Sequence, residues 1–136
     1  MTGFVLTLPS PLPPAAVFDR VLDLDRHDRL VPLTRILRHG TPLRAGERFV
    51  ARTGIGPLWF DDVMTVTEWD PPRTARLVKT GWPLRGTVTV QVRARRDQEG
   101  SILRWSQTVQ LPCGLSRPAA PLLGAGYRAV LRRLLR

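Results

Sequence analysis

The chain has 136 residues, 43% hydrophobic and 24% charged, with a formal net charge of +10 and a pI near 11.6. One domain of this size buries roughly 68% of its unfolded surface, so it needs no disulfide or metal to form a core; the lone Cys113 fits a reducing cytoplasm, and no apolar run approaches the ~18 residues of a membrane span, so no integral membrane association is expected. The charge invites a nucleic-acid reading, but Lys79 is the only lysine and the arginines are scattered, with no stretch that interleaves them with aromatics for base stacking, so no nucleic acid is expected as partner.

In chain order, MTGFVLTLPSPLPP lacks the basic start and cleavage site of a signal peptide. Within it, residues 4–9 alternate Phe4, Leu6 and Leu8 against Val5 and Thr7, which predicts a first strand. Pro13 and Pro14 suit a helix start, and Val17, Phe18, Val21 and Leu22 then share one helical face. Residues 25–32 predict a second short helix ended by Pro32. Strands follow at 34–40 and 46–54, with turns at Gly40, Gly54 and Gly56-Pro57. The longest strand spans 58–70 and stops at Asp70-Pro71-Pro72, because proline cannot continue a central ladder.

Strands at 73–81 and 84–96 continue the meander. Val88, Val90 and Val92 alternate with Thr87, Thr89, Gln91 and Arg93, giving one apolar and one polar face. The last strand, 101–112, puts Leu103, Trp105, Val109 and Leu111 on one side, with Gln107 in phase with them. Residues 117–136 predict a long helix with Leu123, Tyr127, Val130, Leu131 and Leu134 on one face. A helix of ~17 residues spans ~25 Å and reaches across several strands.

The pattern is α+β: a curved antiparallel sheet of about six to seven strands, two short helices after the first strand, and a long C-terminal helix across the concave face. Strands of ~12 residues extend ~40 Å and must coil into a half-shell. One helix over a deep trough leaves space unless large side chains fill it. The sheet offers Val66, Val88, Val90, Val92 and Ala51, so a cavity is expected.

Three segments carry a family resemblance. They are LPSPLPPAAVFDRVLDLDRH (8–27), GTPLRAGERF (40–49) and FDDVMTVTEWDPPRTARLVKTG (60–81). On these the chain resembles the START-related helix-grip superfamily, which includes birch-pollen-allergen-like proteins, lipid-transfer domains and polyketide cyclase/dehydrase-like proteins. The resemblance covers essentially all of residues 1–136. It implies binding of a small hydrophobic or amphipathic molecule between sheet and helix and, in some relatives, cyclisation or aromatisation of a bound polyketide.

Cyclase chemistry needs an acid or base within reach of substrate. If Met64 and Val66 face the trough, Asp62 and Glu68 do too, and Asp62 is the candidate base. The competing reading is that Asp62 pairs with an arginine or caps a loop. The candidate ligand-binding residues are Met64, Val66, Val88, Val90, Val92, Trp105, Gln107, Leu123, Tyr127 and Val130. Gln107 is outward instead if the strand slips by one residue. Tyr127 either donates to a ligand or packs. Trp69 and Trp82 read as rim or turn residues. His27 and His39 lack partners at ligand spacing, so no metal or other cofactor is expected. Glycines at 124 and 126 either loosen the last helix as a gate or allow close packing. The basic amphipathic tail could lie on an anionic membrane, but its apolar face is needed to cover the sheet. A third reading is an interaction module with a packed interior, separated from the others by a pocket smaller than ~300 Å³.

Overall fold

The computed structural model describes residues 2–23, 34–37, 43–96 and 98–135. The elements are β1 (Gly3–Ser10), α1 (Pro14–Val21), β2 (Thr34–Leu37), β3 (Arg48–Ile55), β4 (Leu58–Asp70), β5 (Thr74–Lys79), β6 (Gly86–Ala94), β7 (Ser101–Thr108) and α2 (Ser116–Leu134). The expected second short helix at 25–32, His27, His39 and the Gly40 turn lie outside the described residues.

The seven strands form one sheet in the order β1-β7-β6-β5-β4-β3-β2, and every neighbouring pair is antiparallel. β1 pairs with β7 rather than with β2, so the first strand extends the β2–β7 meander at its far end, and the sheet is the curved half-barrel of a helix-grip fold. The β3–β4 hairpin turns on Gly56-Pro57, with Ile55 opposite Leu58. Gly56 has φ 56°, the left-handed value that a two-residue hairpin loop requires of its first residue.

The two amphipathic helices close one face of this sheet. Val17, Phe18 and Val21 of α1 are buried with Leu6, Leu8, Val90, Val92 and Leu103. Phe18 meets Trp69 edge-on, ring centroids 5.1 Å apart, so Trp69 belongs to the packed layer and not only to a rim. Leu131 and Leu134 of α2 join the same core. At the lower end, Ser10 Oγ donates to the Leu135 carbonyl at 3.0 Å and Ser101 Oγ donates to the Leu12 carbonyl at 2.7 Å. At the upper end, Leu84, Val109 and Ala120 make a smaller cluster.

α2 sits close to β1 because Gly124 has no side chain. A Cβ there would lie 3.2 Å from Cγ of Phe4. Gly124 therefore serves packing, whereas Gly126 has nothing within 4 Å of the same position.

One strand departs from simple alternation. The register of β4 against β5 shifts between Val66 and Glu68. Such a bulge re-aims the side chains that follow it. Glu68 is therefore exposed, not turned toward the trough as strict alternation predicts, while Trp69 takes the inward position.

Candidate functional site

α1 and the end of α2 fill one end of the trough. What remains is a partly enclosed hollow of about 100 Å³. This is below the ~300 Å³ of a pocket that engulfs a whole ligand, and smaller than the ~150 Å³ cavity that accepts benzene. On volume alone the hollow favours the packed-interior reading over the two that need a whole ligand inside.

The wall of the hollow is mostly apolar. Phe49 and Ala51 of β3, Met64 of β4, Leu77 of β5, Val88 of β6 and Trp105 of β7 face it. Val21, Leu22, Ile36 and Leu43 close it from the side, and Thr53 and Tyr127 add hydroxyls. The side chain of Tyr127 is wedged between Phe4 and Trp105, at 5.9 and 5.3 Å between ring centroids.

Into this apolar wall project Asp62 and Lys79. Both are buried, at 6% and 2% relative exposure. Lys79 Nζ donates to Asp62 Oδ2. Burial by itself lowers the Lys79 pKa; Tyr127 and the Asp62 carboxylate outweigh it, so the ammonium is held above the ordinary lysine value. Asp62 Oδ1 has no hydrogen-bond partner among the described residues. A buried acceptor without a partner is costly, and here it belongs to a side chain on the wall of a hollow.

Asp62, Met64, Val88, Trp105 and Tyr127 come together around the hollow. Val66, Val90, Val92 and Val130 are buried in the core but do not line it, because α1 and the end of α2 occupy their part of the trough. Leu123 packs with the upper cluster of Leu84, Val109 and Ala120. Gln107 keeps its inward register, opposite Phe4 and Val88, and is 2% exposed. Its Oε1 accepts from Trp105 Nε1 at 3.1 Å, and its Nε2 has no partner among the described residues. It stands behind Trp105 and is not part of the lining.

Sequence reasoning missed Lys79. The signal was present: Ala75, Leu77 and Lys79 are in phase on β5, and the first two are core residues. It also missed Leu77, Phe49 and Thr53 as lining. The Asp62 partner is a lysine, not the arginine of the competing reading. Among the described residues no three His, Cys, Asp or Glu side chains cluster as a metal site would need, and no helix is long and apolar enough to cross a membrane.

A half-barrel closed by a terminal helix over an apolar hollow defines a helix-grip protein, the START-related class. Solved structures agree on the fold. The chain is similar to Ara h 8.0201 (16% identity, TM-score 0.70, covering 97% of this chain and 96% of that one). It is similar to protein CV1439 from Chromobacterium violaceum (15% identity, TM-score 0.76, 99% and 96%). It is also similar to DynU16, a protein in the dynemicin biosynthetic locus (19% identity, TM-score 0.65, 97% and 45%). No curated protein matches the sequence. Within the class, the chain belongs to the polyketide cyclase / dehydrase and lipid transport family, which it matches over residues 1–136.

Proposed function

We propose that this protein binds a small hydrophobic or amphipathic molecule, lipid- or polyketide-like, with its polar group against Asp62, Lys79 and Tyr127. The observation that carries this reading is the unpartnered Asp62 Oδ1 on the wall of an otherwise apolar hollow. A hydroxyl donated by a ligand would satisfy that oxygen, while the apolar lining takes the adjoining carbon skeleton. The hollow of about 100 Å³ holds only the end group of such a guest; the rest requires the trough to open. Native mass spectrometry of freshly purified protein, with and without added hydroxylated aromatic probes, tests it. Retention of a probe by the wild type and its loss in Lys79→Met/Asp62→Leu, which removes the pair without stranding a buried charge, support the reading. No retention of any apolar probe overturns it.

A second reading is favoured by the same three side chains. A cyclase/dehydratase-like step needs a proton acceptor beside a group that polarises a carbonyl. Asp62 Oδ1 supplies the first and the Lys79 ammonium or the Tyr127 hydroxyl the second. On this reading Asp62→Asn abolishes cyclisation of a linear poly-β-ketone while the protein stays folded, and unchanged turnover removes the mechanism.

A further inference from the structure

The antiparallel register sorts the loops into two ends of the barrel. The β3–β4 hairpin, the β5–β6 loop and the β7–α2 connection all lie at the upper end. That end carries most of the large exposed apolar side chains among the described residues. Ile55 is 67% exposed, Leu58 80% and Trp59 52% on the hairpin; Trp82 is 76% exposed in the β5–β6 loop, and Leu115 and Leu122 are 52% and 76% exposed at the start of α2. Among the described residues, Val5 on the outer face of β1 is the other large exposed hydrophobic. Trp82 leaves its loop beside the start of β4, since a Cβ on Gly81 would sit 2.9 Å from the Asp61 carbonyl oxygen.

Exposed arginines stand at both ends, Arg73, Arg93 and Arg96 among those at the lower one, but among the described residues the lower end mixes them with carboxylates. Arg35, Arg85 and Arg117 are exposed at the upper end, where the positive N-terminal end of α2 also lies. The described carboxylates there are Asp61, bonded to Arg52 at 2.9 Å, and Asp62, bonded to Lys79. Glu47, Glu68, Asp70 and Glu99 lie toward the opposite end.

We infer that the upper end docks on an anionic lipid surface, with Trp59, Trp82 and Leu58 entering the headgroup region. Apolar side chains on separate loop tips offer no flat face for a protein partner, but they can each enter a fluid interface. Indoles partition to that zone because an apolar ring and a polar N–H are both satisfied there. Arg35, Arg85 and Arg117, beside no unpaired carboxylate among the described residues, add the attraction to anionic headgroups. The tail helix is not the contact: its apolar residues Val130, Leu131 and Leu134 are buried on the sheet. This inference does not depend on what the hollow binds.

Co-sedimentation with phosphatidylcholine vesicles, alone or containing phosphatidylserine, tests it. The wild type should bind the phosphatidylserine vesicles about tenfold more strongly than pure phosphatidylcholine, and Trp59→Ser/Trp82→Ser should weaken that binding about tenfold. Because Trp59 stacks on the Arg52 guanidinium at 4.0 Å, Trp82→Ser alone provides a variant with the fold undisturbed, expected to lose part of the binding. Absence of binding to the anionic vesicles, or binding indifferent to both tryptophan substitutions, overturns the inference. So does a dimer in sedimentation velocity that Trp82→Ser dissociates, which assigns the rim to a second copy.

Discussion

Lys79 and Asp62 are diagonal neighbours on the concave face: Lys79 pairs across the ladder with Met64, and Asp62 stands two residues before it on β4. Neither charge has comparable access to water, so each depends on the other. Removing one partner leaves a lone buried charge, at a cost of about 3–5 kcal/mol, whereas replacing both with apolar groups can be neutral. Lys79→Met is therefore expected to destabilise by about that amount in urea unfolding, and Lys79→Met/Asp62→Leu by clearly less. Equal losses in the single and double variants would show that the pair is not coupled.

The pH dependence follows from the raised Lys79 pKa. Below the ordinary lysine value of 10.5 both folded and unfolded chains hold the proton, and the contribution of the pair is complete. Above 10.5 the unfolded chain releases its proton first, so stability falls as pH rises through the folded value. Unfolding midpoints should be flat with respect to this group from neutrality to about 10.5 and then decline. Lys79→Met should lack that decline.

Ala51 lies directly across from Asp62 on the neighbouring strand and faces the hollow. Ala51→Leu would put three more carbons into about 100 Å³ of space. Filling a void typically adds about 0.5–2 kcal/mol when no strain results. The variant should melt at or above the wild-type temperature and lose retention of apolar probes in native mass spectrometry. Wild-type retention would place the guest elsewhere.

The two glycines of α2 should respond oppositely to alanine. Gly126 is exposed in mid-helix, so Gly126→Ala should stabilise by about 0.5–1 kcal/mol. At Gly124 the new methyl meets the Phe4 ring at 3.2 Å, and the same helix gain is offset by crowding. Thermal denaturation of the two variants separates these cases.

Most of the sheet was legible because period-two alternation survives in β6 and β7, where Val88, Val90, Val92, Leu103 and Trp105 all face inward. Glu68 was misread because an extra residue at a bulge leaves no mark in the alternation around it. The position of the hollow was only half legible. Val90 and Val92 share a face with Val88, but which part of that face a helix covers depends on how α1 crosses the sheet. Lys79 was missed for a different reason. As the single lysine among twenty arginines it looked compositional, although its phase with Ala75 and Leu77 places it inward. Gln107 was read in the correct register; that its amide serves Trp105 required the two side chains in space.

The pairing of β1 with β7 also governs when the protein can fold. Among the described residues β1 has no other strand neighbour, and Gly3 waits for Thr108, more than a hundred residues later. At about 5–20 residues per second of synthesis, β1 is without its partner strand for several seconds, with only α1 available to cover Leu6 and Leu8. Completion of the sheet therefore waits on the synthesis of β7.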